Sequence, residues 1–104
     1  MMNFINRLKE VKYATNFQKK KELWDVEGIL HNQPFKFDLR PLKNNTKNGS
    51  FKTKADKMVF DINDEYIVVD VEELHQHLNN KQKKVVYLND LILDLDWNII
   101  ITKN

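Results

Sequence analysis

Between Trp24 and Arg40 the chain twice alternates apolar with charged side chains, in Trp24-Asp25-Val26-Glu27-Gly28-Ile29-Leu30 and in Phe35-Lys36-Phe37-Asp38-Leu39-Arg40. A period of two is that of a β-strand with one face on a core and one in water. The break at His31-Asn32-Gln33-Pro34 makes the two runs a β-hairpin. Opposed residues of an antiparallel pair point to the same side of the sheet, so parity limits the register. Pairing Asp25 with Arg40 and Glu27 with Asp38 sends Val26, Gly28, Leu30, Phe35, Phe37 and Leu39 to the core. A slip of one residue would expose Phe37 and bury Asp38. Asp25, Glu27, Lys36, Asp38 and Arg40 are therefore expected on one wet, charged face. Diagonal neighbours there lie roughly 7–8 Å apart, close enough for two carboxylates to hold one divalent ion.

The 104 residues, 41% of them hydrophobic, suffice for one domain over 1–104 with a single core. Only two Gly and two Pro interrupt them, which argues for a folded chain. There is no Cys, so disulfides and thiolate metal sites are excluded. No segment has the apolar length of a membrane span, and the start Met1-Met2-Asn3-Phe4 lacks a signal-peptide core, so a soluble cytoplasmic protein is expected.

The net charge of +2 conceals a polarised distribution. From residue 40 to 57, Arg40, Lys43, Lys47, Lys52, Lys54 and Lys57 face one acid, Asp56; from 58 to 80 the acids Asp61, Asp64, Glu65, Asp70, Glu72 and Glu73 meet no Lys or Arg. Such a basic segment beside the hairpin attracts a polyanion, and it equally suits a solvated loop.

Phe4, Ile5, Leu8 and Val11 recur at helical spacing behind Asn3, a capping residue, which predicts a helix over roughly the first dozen residues, ending at Thr15-Asn16. Glu10 lies late in it, as a solvent-facing residue or an auxiliary acid beside the hairpin. Lys19-Lys20-Lys21 leads into the first strand. Pro41 ends the second strand, and Leu42 to Ser50 has loop composition. Lys57 to Phe60 and Tyr66 to Val69 read as a second hairpin around Asn63-Asp64-Glu65, with Ile67 to Val69 in a central strand. Asp70-Val71-Glu72-Glu73 fits a capping box opening a helix to Asn79-Asn80, with Val71, Leu74, His75 and Leu78 on one face. His75 and His77, two apart, do not form a two-histidine metal site. Val85 to Leu88 reads as a strand, Asn89 to Leu95 as a helical turn or a strand, Asp96-Trp97-Asn98 as a bend, and Ile99 to Thr102 as a last strand. Asp90, Asp94 and Asp96 lack the glycine and terminal glutamate of a calcium loop and read as turn acids. The order of elements predicts an α/β or α+β sandwich: a mixed central sheet flanked by an N-terminal helix and a second helix.

At the hairpin and after the loop the chain resembles the PD-(D/E)XK superfamily of restriction-endonuclease-like proteins, in its small phage-type members. Asp25 in Trp24-Asp25-Val26 matches the family's first acid. Asp38-Leu39-Arg40 stands where its acid-x-Lys tripeptide belongs, with Arg40 in place of the lysine. Thr53-Lys54-Ala55-Asp56-Lys57-Met58-Val59-Phe60, followed by Tyr66 through Leu78, is similar to the later strands and helix; the resemblance spans roughly residues 1–80. It implies a restriction-endonuclease-like core in which Asp25 and Asp38 bind Mg²⁺ or Mn²⁺, with Glu10 and Glu27 as auxiliary acids. Arg40 or Lys36 would orient the attacking water, and Lys43, Lys47, Lys52 and Lys54 would guide DNA phosphates. Cutting both strands of a duplex needs two sites, which is compatible with a homodimer. Arginine stays charged and directs its donors differently from an ammonium. Two functions follow: a metal-dependent nuclease, or a catalytically inactive module of the same fold that binds nucleic acid or a partner protein. Without the resemblance, the hairpin is a structural element whose charges pair on an open face.

Overall fold

The computed structural model describes residues 2–41, 46–47, 52–62, 64–81, 86–87 and 95–103. The first helix, α1, is a single turn, Met2–Ile5, with Asn3 inside it rather than capping it. Turn hydrogen bonds from the Arg7 and Leu8 amides to the Phe4 and Ile5 carbonyls close it. The chain then extends into a strand, β1 (Lys9–Tyr13). The expected longer helix fails for a non-local reason. The strand after it, β2 (Val26–Leu30), would otherwise present an edge of unpaired backbone groups, and β1 satisfies that edge. Phe4 and Leu8 are buried all the same, so their spacing reported a shared hydrophobic face without reporting a helix.

Thr15 does not end a helix; it begins one. Its hydroxyl accepts from the Gln18 amide while the Gln18 side chain accepts from the Thr15 amide, a capping box opening α2 (Asn16–Lys21), so that Lys19, Lys20 and Lys21 form its last turn. Leu23 follows in the left-handed region at φ 63°, where glycine usually ends a helix.

The hairpin of β2 and β3 (Gln33–Pro41) turns in two residues, not four. His31 (φ 50°) and Asn32 (φ 66°) both adopt the left-handed conformation that a two-residue type I′ turn demands. Gln33 and Pro34 thereby join β3, and the register differs from the expected one by two: Glu27 opposes Lys36, and Val26 opposes Phe37. An even slip preserves every side chain's face, so the parity argument holds while its partners change. Pro34 opposes Ile29 one pair beyond the turn-closing pair, a non-hydrogen-bonded position that needs no amide hydrogen.

Lys57–Ile62 (β5) and Glu65–Asp70 (β6) form the second hairpin as expected. A helix, α3 (Val71–Lys81), and a last strand, β8 (Asn98–Thr102), follow. Thr46–Lys47 (β4), inside the predicted loop, pairs with Val86–Tyr87 (β7) in a separate two-stranded ladder. The rest of that loop, with Lys43, and the 88–94 stretch, with Asp90 and Asp94, lie outside the described residues. The proposed box at Asp70 forms only by half. Asp70 accepts the Glu73 amide, but the Glu73 carboxylate accepts from the Asp96 and Trp97 amides, tying α3 to the start of β8.

The main sheet runs β1-β2-β3-β5-β6-β8. Every neighbouring pair is antiparallel except β3 and β5, which run parallel from Phe37 opposite Lys57 to Pro41 opposite Asp61. Two three-stranded antiparallel halves thus meet at one parallel seam, giving a mixed α+β fold. On one face Phe4 and Leu8 pack on Val26, Phe37, Val59, Tyr66, Val68 and Ile101. On the other, Trp24, Val71, Leu74 and Leu95 pack on Met58, Phe60, Ile67 and Val69. The second face is therefore covered. That overturns the expectation of a wet face behind the first hairpin: Asp38 is only 4% exposed, and Lys36 and Arg40 are half-buried. No helix among the described residues is long and apolar enough to cross a membrane.

Candidate functional site

The acids of the first hairpin are engaged by the protein itself. Asp38 projects from β3 onto the covered face beside Arg40, two residues on, and the guanidinium grips both carboxylate oxygens: Nε to Oδ1 and Nη2 to Oδ2, each at 2.8 Å. A bidentate, charge-assisted fork is the arrangement that makes a carboxylate tolerable at this depth. Asp25 lies just before β2, where its amide donates to the Phe37 carbonyl and its carbonyl accepts from the Ala14 amide, both backbone bonds knitting β1, β2 and β3. Its carboxylate Oδ2 accepts from the Leu39 amide at 2.8 Å. Register brings the two acids to neighbouring positions, yet each carboxylate has a different protein donor. With the guanidinium bonded to both oxygens, a divalent ion at Asp38 would share the carboxylate with a permanent cation and meet its repulsion at close range. This donor set does not fit Mg²⁺ or Mn²⁺ as it stands. Among the described residues no three His, Asp or Glu side chains gather into a metal-binding group.

Lys36 shares Asp38's face, but its ammonium sits 5.1 Å from the centre of the Trp24 ring, a cation–π contact. Its backbone is bound to Asp56 in both directions: the Lys36 amide donates to the Asp56 carboxylate, and the Asp56 amide to the Lys36 carbonyl, each at 2.8 Å. Glu10 (φ 52°) stands at the irregularity in β1 and, with Glu27 and Lys12, borders a hollow of about 560 Å³ along the β1–β2 edge. Those two acids border that hollow, and neither Asp25 nor Asp38 lines it.

Lysines far apart in sequence converge instead. The Lys54 amide donates to the Glu22 carbonyl at 2.8 Å, and the Thr53 hydroxyl to the Leu23 carbonyl at 2.9 Å, which lays the 52–55 segment against the end of α2. Lys21, Lys52 and Lys54 thereby border one hollow of about 330 Å³, with His75 of α3 on its rim. Glu22, the acid of this hollow, accepts the Trp24 indole N–H at 2.9 Å. Of the lysines expected to guide phosphates, Lys52 and Lys54 thus stand at a shared surface, and Lys21 joins them. Lys43 lies outside the described residues and Lys47 contributes its backbone to β4.

The sequence counts Lys57 only within the basic segment and the second hairpin and gives it no site role. Lys57 is buried, its ammonium 2.6 Å from the Asp70 carboxylate and stacked 3.8 Å from the Trp97 ring centre and 4.7 Å from that of Phe35. Parity was the available signal, since Lys57 shares a strand face with Val59. Lys19, Lys20 and the aromatics beside them were missed with α2, although Thr15-Asn16-Phe17-Gln18 carries the capping-box pattern.

Comparison with models of known protein families, with curated proteins and with solved structures finds no match to this chain.

Proposed function

We propose that the chain is a restriction-endonuclease-like domain that binds nucleic acid without cleaving it. The observation that carries the reading is the fork between Arg40 and Asp38. A nuclease of this type needs the second acid free for a metal and a mobile ammonium near a water, whereas here the acid of Asp38-Leu39-Arg40 is held at both oxygens by a permanent cation. The endonuclease-like assignment draws support from the placement of that tripeptide on a strand antiparallel to the one Asp25 precedes. The binding half draws support from Lys21, Lys52 and Lys54, which border one hollow and give phosphates a concentrated positive potential.

Incubation with single- and double-stranded DNA in Mg²⁺ or Mn²⁺ tests both halves. The expected result is no cleavage, together with binding that weakens as salt rises. Cleavage that Asp38→Asn abolishes would restore the metal-dependent nuclease reading. Salt-insensitive binding would remove the lysines as the contact.

A further inference from the structure

The surface around α2 is built from side chains that the fold itself does not use. No residue of α2 is buried. Phe17 is 67% exposed and Tyr13, one strand-end earlier, 61% exposed. A phenylalanine left in water forgoes the free energy that burial would contribute, and Phe17 has no polar atom to account for the position. Lys20 and Lys21 follow Phe17 at helical spacings of three and four, so ring and ammonium groups share a helix face. Tyr13 and Lys19 border a second hollow, of about 300 Å³. Lys19 and Lys21 of α2 thus each border a hollow, and Phe17 and Lys20 stand exposed on the same short helix.

The acids in reach are engaged. Asp25 accepts the Leu39 amide, Glu22 the Trp24 indole, and Asp61 the Lys103 ammonium. Among the described residues the side chains of Lys19, Lys20, Lys21 and Lys54 have no ion pair.

We infer that this aromatic and basic track takes a single-stranded nucleic acid, its bases stacking on Tyr13 and Phe17 and its phosphates on Lys19, Lys20, Lys21 and Lys54. The inference rests on the nucleic-acid reading above and names its substrate. Exposed rings discriminate between strand states: a duplex keeps its base faces stacked inside, whereas an unpaired strand offers each face to a ring. Phosphate contact alone would need the lysines and leave Phe17 unexplained. An anionic membrane is the competing occupant of a basic, aromatic surface, but the concave hollow of Lys21, Lys52 and Lys54 suits a projecting phosphate better than a flat headgroup layer.

The test measures binding of a single-stranded oligonucleotide, the corresponding duplex, and vesicles of anionic phospholipid, using the full chain and the variants Phe17→Ala, Tyr13→Ala and Lys21→Gln/Lys54→Gln. These positions are exposed, and circular dichroism checks that each variant keeps its fold. Single strands are expected to bind most tightly. Each ring removal should weaken that binding roughly 5- to 150-fold without changing its salt dependence. The double lysine variant should flatten the slope of log K against log salt by about 1.4, from about 0.7 per phosphate contact. Equal affinity for duplex, indifferent to Phe17→Ala and Tyr13→Ala, would overturn the single-strand inference and leave nucleic-acid binding standing. Failure to bind either nucleic acid at low salt would overturn both, as would Phe17-dependent binding to vesicles alone.

Discussion

Removing the Arg40 guanidinium should reveal how deeply Asp38 is committed to the interior. The Asp38 side chain is 6% exposed and that of Arg40 17%, and two hydrogen bonds of 2.8 Å join them. In Arg40→Met the carboxylate stays in place with neither donor nor water to replace them. Two charge-assisted bonds at about 1.5–3 kcal/mol each bracket the loss at about 3–6 kcal/mol, and broken buried ion pairs cost about 3–5 kcal/mol. The partial exposure of Arg40 favours the lower end, about 3 kcal/mol. For a domain of this size that lowers the melting temperature by about 12–24 °C. Asp38→Leu combined with Arg40→Met removes the charge along with its partner and should recover most of the loss, because an apolar pair of similar volume tolerates the site. Urea unfolding of wild type, single and double variants measures the difference, and millimolar Mg²⁺ should leave the wild-type midpoint unchanged. If Arg40→Met and the double variant lie within about 0.5 kcal/mol of each other, the carboxylate is solvated and the argument against a metal there collapses.

Three further outcomes can be checked on the same instruments. Asn32→Gly relieves a left-handed backbone in the hairpin turn and should raise stability by about 0.5–1 kcal/mol, seen as a higher urea midpoint at unchanged slope. Gly28→Ala puts a methyl group 3.0 Å from Leu8 Cβ and 3.2 Å from the Lys9 carbonyl oxygen, so it should cost about 1–3 kcal/mol by thermal unfolding. The Asp61 carboxylate, hydrogen-bonded to Lys103, holds that ammonium above its ordinary pKa of 10.5. The folded chain therefore keeps this proton more tightly than the unfolded one. The resulting stabilisation is fully present at pH values below the ordinary 10.5 and fades as pH climbs through the raised value, so Asp61→Asn should flatten the alkaline limb of the stability profile.

The legible parts of this fold are those whose signals are local. The two hairpins, the central Ile67 to Val69 strand and the helix after Asp70 each declare themselves within a dozen or so residues through period, turn chemistry or caps. His31-Asn32 is a type I′ turn without the usual glycine, which concealed the turn length and shifted the register by two. At β1 the deciding partner is the edge of β2, more than a dozen residues away, so five residues that suit a helix became a strand. Asp38 is the sharpest case. Alternation correctly assigned its face, but whether that face is wet depends on Trp24, Val71 and Leu74, which close over the neighbouring strands from elsewhere in the chain. The lysine hollow was illegible for the same reason, since the Lys54 and Thr53 hydrogen bonds that bring it to α2 cross some thirty positions.

The parallel seam divides the sheet along the chain as well as in space. All strands before Pro41 lie on one side, and β5, β6 and β8 on the other. Each half can zip from its own hairpin, whereas the seam has no turn to nucleate it and must close by docking two preformed surfaces. Its contacts, Phe37 beside Lys57 and Leu39 beside Val59, then belong to the late steps of folding. The chain is in this respect a covalently joined pair of three-stranded pieces. Separately produced segments 1–41 and 52–104 would be natural partners for reconstitution from fragments.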